Sequence, residues 1–285
     1  MKLPSGLLTL GLLALSAAPA AAGIGQPSPW QLGFQGSVTE IMSGINSFHN
    51  LLLWLITFVV LFVLALLVYV MVRFNEKANP TPSRTTHNTT IEVLWTVVPV
   101  LILVVIAIPS FRLLYAQYDP PAADLTVKVT GHQWYWNIEY QNGEGDPADA
   151  AEIAFDAIML QDAERQEGQP RLLAVDNDMV VPVGRTVRVL VTAADVLHAF
   201  AVPSFGVKVD AVPGRMNETW FRAEREGMYY GQCSELCGRD HAFMPIAVRV
   251  VSDEEYTAWL QEARQRFAVD RTAPARAVAD ARTTR

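Results

Sequence analysis

Two uncharged apolar runs constrain this chain more than any other feature of its sequence. Leu51–Val72 spans 22 residues and Val93–Phe111 spans 19. As helices rising 1.5 Å per residue, each is about 30 Å long, the hydrocarbon thickness of a bilayer. A helix buried in a soluble core is the alternative, and two such runs split by one polar loop argue against it. Pro99 and Pro109 fall inside the second run. A membrane helix tolerates them where neighbouring helices re-satisfy the freed carbonyls, which points to a partner with several helices. The whole chain is 51% apolar with a mean hydropathy of +0.20, in keeping with a membrane-anchored protein.

Orientation follows from charge. The loop between the runs carries Arg73, Lys77 and Arg84 against Glu76, whereas residues 23–50 contain no Lys or Arg. The positive-inside rule therefore places this loop in the cytoplasm and everything after about Tyr115 outside. Residues 1–22 read as a signal peptide: Lys2, an apolar core from Leu7 to Leu15, then small residues ending at Ala22, after which cleavage is expected. An uncleaved anchor would need a longer apolar core. Residues 23–114 then form an N-terminal segment and a hairpin with helices at about 51–72 and 93–113, both ends of which return outside.

Residues 115–252 read as an all-β domain. Leu125–Thr130 and Thr186–Thr192 alternate, Ile246–Val251 nearly does, and Trp134–Trp136 and Met228–Tyr230 supply aromatic strand residues. Turn signals at Pro182–Gly184, Pro213–Gly214 and Gly227 separate them, the pattern of a sandwich or Greek-key barrel. Residues 143–170 break the pattern with an acidic, Ala-rich insertion read as a surface excursion. Residues 253–285 begin with a short helix, capped by Ser252 with Glu255 and carrying Tyr256, Trp259 and Leu260 on one face. From about Ala268 too little apolar surface remains to pack, and the tail is expected to be disordered.

The chemistry is concentrated between Gly231 and Met244. Both cysteines of the chain lie there, in the spacing Cys233-x3-Cys237-x3-His241-x2-Met244. Thiolate, imidazole and thioether together favour copper over zinc or an iron–sulfur centre. His198, upstream after Asp195, is a second candidate imidazole. One Cys with two His and a weak Met would suit a single blue copper; two thiolates instead allow a pair of copper ions bridged by sulfur. Each metal would then take one His, with Met244 weakly bound and a backbone carbonyl offered by Glu235. A Cys233–Cys237 disulfide is the other reading of the pair, and across so short a loop it would add little stability. No nucleotide-binding loop, Ser/His/Asp set or haem-attachment motif competes. His132, beside aromatic strand residues, reads as a packed side chain outside the site, and His49 as an interface residue. Glu92 reads as a carboxylate at a helix N-terminus, and Trp134 as strand packing. The net charge of −7 argues against nucleic acid.

These motifs, with Gly131–Trp136 and Asp210–Arg215, resemble subunit II of cytochrome c oxidase over roughly residues 30–260, in the form found in proteobacteria. The resemblance implies a two-helix transmembrane hairpin followed by an all-β cupredoxin-like Greek-key barrel that carries the binuclear copper centre CuA. It gives the ligand side chains as His198, Cys233, Cys237, His241 and Met244, with the carbonyl of Glu235. It also implies that the Glu235 side chain reaches a magnesium or manganese ion shared with subunit I. Trp134 matches the residue at which electrons from cytochrome c enter, and Glu92 the mouth of a proton path into subunit I. The implied assembly holds subunit I, with haem a, haem a3 and CuB, and subunit III, in the bacterial inner membrane. Oxygen would be reduced in subunit I, not here.

Between Asp119 and Asp178 there are thirteen acidic residues against three basic ones. Most of these charges belong to a solvated face, yet a negative field would also raise the encounter rate of a basic carrier. Asp176, Asp178 and Asp195 are the docking candidates. Two further readings stand beside this one: a copper-free subunit of a quinol oxidase, and a copper-delivery protein with an open, exchangeable site.

Overall fold

In a computed structural model of the chain, residues 25–141 and 152–269 are described. The expected signal peptide, the start of the acidic insertion and the tail from residue 270 lie outside the described residues. The chain divides into two compact units, residues 40–121 and the remainder.

The first unit is the helical hairpin. Helix α1 runs over Glu40–Arg73 and α2 over Thr89–Tyr118. Both are longer than the apolar runs that announce them, because caps and helix-tolerant polar residues, not hydropathy, set where a helix stops. Asn88 caps α2 by accepting from the Ile91 N–H at 3.3 Å, and the Glu92 side chain accepts from the Asn88 N–H at 3.1 Å. The two bonds are reciprocal, as in a capping box, with the carboxylate at the fourth helical position instead of the third. Gly44 lets the helices approach closely: a Cβ there would lie 3.0 Å from the Leu113 side chain. Both helices are long and apolar enough to cross a membrane.

The second unit is a cupredoxin-like β domain of two principal sheets. Its strands are β1 (Leu125–His132), β2 (Tyr135–Tyr140), β3 (Glu152–Ala157), β4 (Met179–Pro182), β5 (Thr186–Ala193), β6 (His198–Val202), β7 (Val207–Ala211), β8 (Asn217–Arg222), β9 (Gly227–Gln232), β10 (Pro245–Val251) and β11 (Ala268–Val269). One sheet has the order β11-β3-β2-β1-β5-β8, the other β4-β10-β9, and β6 pairs with β7. Strand β1 is antiparallel to β2 and parallel to β5. The alternation read in the sequence is the burial pattern: Val127, Val129, Val187, Val189 and Val191 point into the core with Trp136, Ile138 and Tyr140. Tyr140 ties the sheets together, its hydroxyl donating to the Val180 carbonyl and accepting from the Val180 N–H.

Three segments depart from the sequence reading. The stretch read as a surface excursion contains β3, whose Ile153, Phe155 and Ala157 are buried. Its alternation was hidden by an acidic, Ala-rich composition. The C-terminal helix α3 covers Asp253–Phe267, and Ala268–Val269 beyond it pairs with β3 instead of leaving the fold. Finally, residues 25–39 belong to the β unit. The Gly25 carbonyl accepts from the Tyr230 N–H, its N–H donates to Ser204 Oγ, and Val38 is hydrogen-bonded to Ser204 and Glu224. Gly25 is obligatory there, with φ +78° and a hypothetical Cβ 2.1 Å from the Met228 carbonyl oxygen. The boundary expected near residue 115 falls inside α2.

Candidate metal centre

Strands β9 and β10 pair as far as Gln232 opposite Pro245, and the loop between them carries the cysteines. Its neck is closed by the Cys233 N–H donating to the Met244 carbonyl at 3.3 Å. The register of one hairpin therefore sets Cys233 opposite Met244, whose Sδ lies against the second thiol, that of Cys237. The adjacent Ser234 N–H donates to the Ala199 carbonyl at 3.0 Å, which draws the loop onto the start of β6, where His198 sits. Two glycines make that approach possible. A Cβ on Gly231 would lie 1.9 Å from the Ala201 carbonyl oxygen, and one on Gly131 would lie 2.8 Å from the His198 ring.

The candidate ligands converge. Cys233 Sγ lies 3.8 Å from Cys237 Sγ, 3.8 Å from His198 Nδ1 and 3.3 Å from the Glu235 carbonyl oxygen. Cys237 Sγ lies 3.5 Å from His241 Nδ1 and 3.4 Å from Met244 Sδ. His198, Cys233 and Cys237 offer ligand atoms all within 4.8 Å of one another, and all three residues are buried. The cysteines are free, so the disulfide reading does not describe this pair.

Electrostatics favours a cationic occupant. Burial opposes ionisation of Cys233, but hydrogen bonds from His198 and from nearby backbone outweigh it and hold the thiol below its usual pKa. Burial and the neighbouring Cys233 charge push Cys237 up. Two sulfurs this close resist carrying two negative charges in an apolar setting unless a cation joins them. The soft donors, their convergence and this repulsion fit a copper site.

Around the ligands lies a hydrogen-bonded shell. Asp195 Oδ1 accepts from His198 Nε2 at 2.9 Å and from the Val196 N–H at 2.7 Å, while its Oδ2 accepts from the Gln133 N–H at 2.7 Å. Burial opposes ionisation of Asp195, and these bonds together hold its pKa below the ordinary value. Trp136 meets His198 edge-on, with centroids 5.9 Å apart. Trp134 donates from Nε1 to the Cys237 carbonyl at 3.2 Å and has Arg239 over its ring.

The other candidates sit elsewhere. The Glu235 side chain is exposed. Asp176 accepts from the Ile158 N–H at 2.7 Å, and Asp178 pairs with Arg249 at 3.6 Å in a cavity walled by α3. Glu92 lies in the other unit. His132 stacks on Tyr135. Sequence reasoning missed Gln133, whose Nε2 donates to the Cys237 carbonyl at 2.7 Å.

Residues 125–251 match the family described as cytochrome c oxidase subunit II, periplasmic domain, and residues 27–113 match the transmembrane domain of the same subunit. A probable cytochrome c oxidase subunit 2 of Rickettsia bellii is 52% identical over 82% of this chain and 85% of that protein. Cytochrome c oxidase subunit 2 of Cereibacter sphaeroides is 48% identical over 89% of this chain and 88% of that protein. Among solved structures, the periplasmic domain of subunit II of cytochrome oxidase from Bradyrhizobium japonicum is 59% identical. It covers 52% of this chain and 99% of that domain, with a TM-score of 0.46.

Proposed function

The chain belongs to the cytochrome c oxidase subunit II family, a membrane-anchored subunit of an oxidoreductase with a periplasmic domain, and from that premise we propose that it is the electron-accepting subunit of a proton-pumping terminal oxidase. In this reading it takes electrons from cytochrome c at a binuclear copper centre and passes them to haem a in subunit I. Oxygen is reduced to water there. The observation that carries the reading is the pair of free thiols 3.8 Å apart, flanked by an imidazole on either side. A mononuclear blue-copper site takes one cysteine and leaves the second without a role, and a delivery site would not bury His198, Cys233, Cys237 and Met244 together.

Held by His198, Cys233, Cys237, His241, Met244 and the Glu235 carbonyl, a copper pair would supply one-electron transfer. The protein's own part is to hold the donors and keep water from them. His198 is fully buried and fixed through its outer nitrogen by Asp195, so its inner nitrogen stays turned toward Cys233. The exposed Glu235 side chain is free to reach a magnesium or manganese ion at the face toward subunit I. Trp134, half-buried beside the Cys237 carbonyl, is where electrons enter. Glu92 is assigned to the mouth of a proton path, alongside its capping role. Asp176, Asp178 and Asp195 add to the negative field that draws a basic carrier, a contribution that salt should screen. Subunit III completes the assembly in the bacterial inner membrane. Both ends of the mature chain lie in the periplasm.

Replacing Trp134 tests the route. In the purified oxidase, Trp134→Phe should slow electron uptake from reduced cytochrome c at least tenfold, about 1.4 kcal/mol on the barrier, while leaving the copper content unchanged. An unchanged rate would move the point of electron acceptance elsewhere.

A further inference from the structure

Among the three docking candidates, Asp195 alone turns both carboxylate oxygens inward to the metal loop's surroundings. One oxygen holds His198 Nε2 and the Val196 N–H; the other holds the backbone N–H of Gln133. Gln133 then spans the site with its side chain, donating to the Cys237 carbonyl at 2.7 Å, where Trp134 Nε1 also donates at 3.2 Å. That carbonyl thus uses both lone pairs on two adjacent residues. Gly238, next along the loop, supplies the close fit: a Cβ there would lie 3.0 Å from Gln133 Nε2 and 3.2 Å from the Trp134 ring.

We propose that Asp195 and Gln133 form one positioning clamp, in which the carboxylate fixes the Gln133 backbone and the Gln133 amide fixes the Cys237 carbonyl, so that the Trp134 indole keeps a constant distance from the thiolate loop. The clamp rests on the reading of Trp134 as the point where electrons enter, and it assigns Asp195 a role besides any contribution to docking charge. The bonds join residues that are 62 and 104 positions apart, so the clamp exists only once β1, β6 and the β9–β10 loop have assembled. It also links the His198 side of the ligand set to the Cys237 side through Asp195 and Gln133. In geometry-dependent steps a misplacement of about 1 Å can cost of order a hundredfold, so a clamp of this kind has a measurable consequence.

The test uses Gln133→Leu, which changes no charge, and Asp195→Asn, which removes one. In the full-length chain without copper, labelled with 15N at tryptophan, the Trp134 indole N–H is assigned by its loss in Trp134→Phe. Its exchange with deuterated water should quicken at least tenfold in each variant. In the double variant it should quicken no further than in the faster single one, since members of one unit are not additive. In the purified oxidase, Gln133→Leu should lower the limiting rate of electron uptake about tenfold with half-saturation and ionic-strength slope unchanged. Unchanged indole exchange in both single variants would overturn the clamp, as would a Gln133→Leu effect confined to half-saturation. Should Trp134→Phe itself accept electrons at the native rate, the point of electron acceptance is misassigned, and the exchange measurement still judges the clamp.

Discussion

Gly231 has no room for a side chain: a Cβ there would lie 1.9 Å from the Ala201 carbonyl oxygen on β6. The atoms it would meet belong to the β6 backbone and cannot swing away, so β9, which leads into Cys233, would have to separate from β6, which begins at His198. We expect Gly231→Ala to cost about 3 kcal/mol or more, the upper range for overpacking, and to lower copper affinity with it. Urea unfolding followed by fluorescence, with copper titration of the folded fraction, measures both. At this scale the sequence was informative where chemistry is contiguous. Cys233, Cys237, His241 and Met244 lie on one loop, and their spacing alone brought out the metal reading. Asp195 and Gln133 were not legible as partners, because an Asp or Gln in a loop looks the same whether it binds solvent or reaches a residue far along the chain.

Elements were legible wherever a period survived. The alternation of β1, β5 and β10 and the apolar face of α3 correspond to observed elements within a few residues. Strand β3 escaped because its three inward residues sit in an acidic stretch, and the 25–39 segment because its ties are backbone bonds to residues such as Ser204 and Tyr230. Helix α3 is held to the barrel by rings: Trp259 lies 5.0 Å from Tyr140, and Phe267 lies 4.8 Å from Phe155. Removing the larger of these anchors, Trp259→Ala, should cost about 3 kcal/mol, the low end for an aromatic truncation because the ring is only partly buried. A lowered thermal midpoint checks it.

Beside this helix Asp178 offers a pH signature. Burial raises its pKa more than Arg249 lowers it, with Asp176 adding repulsion. The folded state therefore holds the proton more tightly than the unfolded chain does. The associated stability is complete below the unfolded pKa near 4 and is lost as pH rises through the folded value. Asp178→Asn should accordingly raise the thermal midpoint at pH 7, and the advantage should disappear below about pH 4.

For the whole molecule, the apolar runs announced the hairpin, whereas no periodicity could show that the β unit begins before it. Residues 25–39 and 122–269 fold together, with both helices inserted between them in sequence. Physical tests of the site are therefore best made on the full-length chain. In the proposed reading this unit builds a two-copper centre on Cys233 and Cys237. Metal analysis and electron paramagnetic resonance of the full-length chain, purified in detergent and loaded with copper, test it most directly. Two coppers per chain sharing one unpaired electron are expected, with loss of that signal in Cys237→Ser. A single copper with an ordinary mononuclear spectrum, or zinc held in preference to copper, would contradict it.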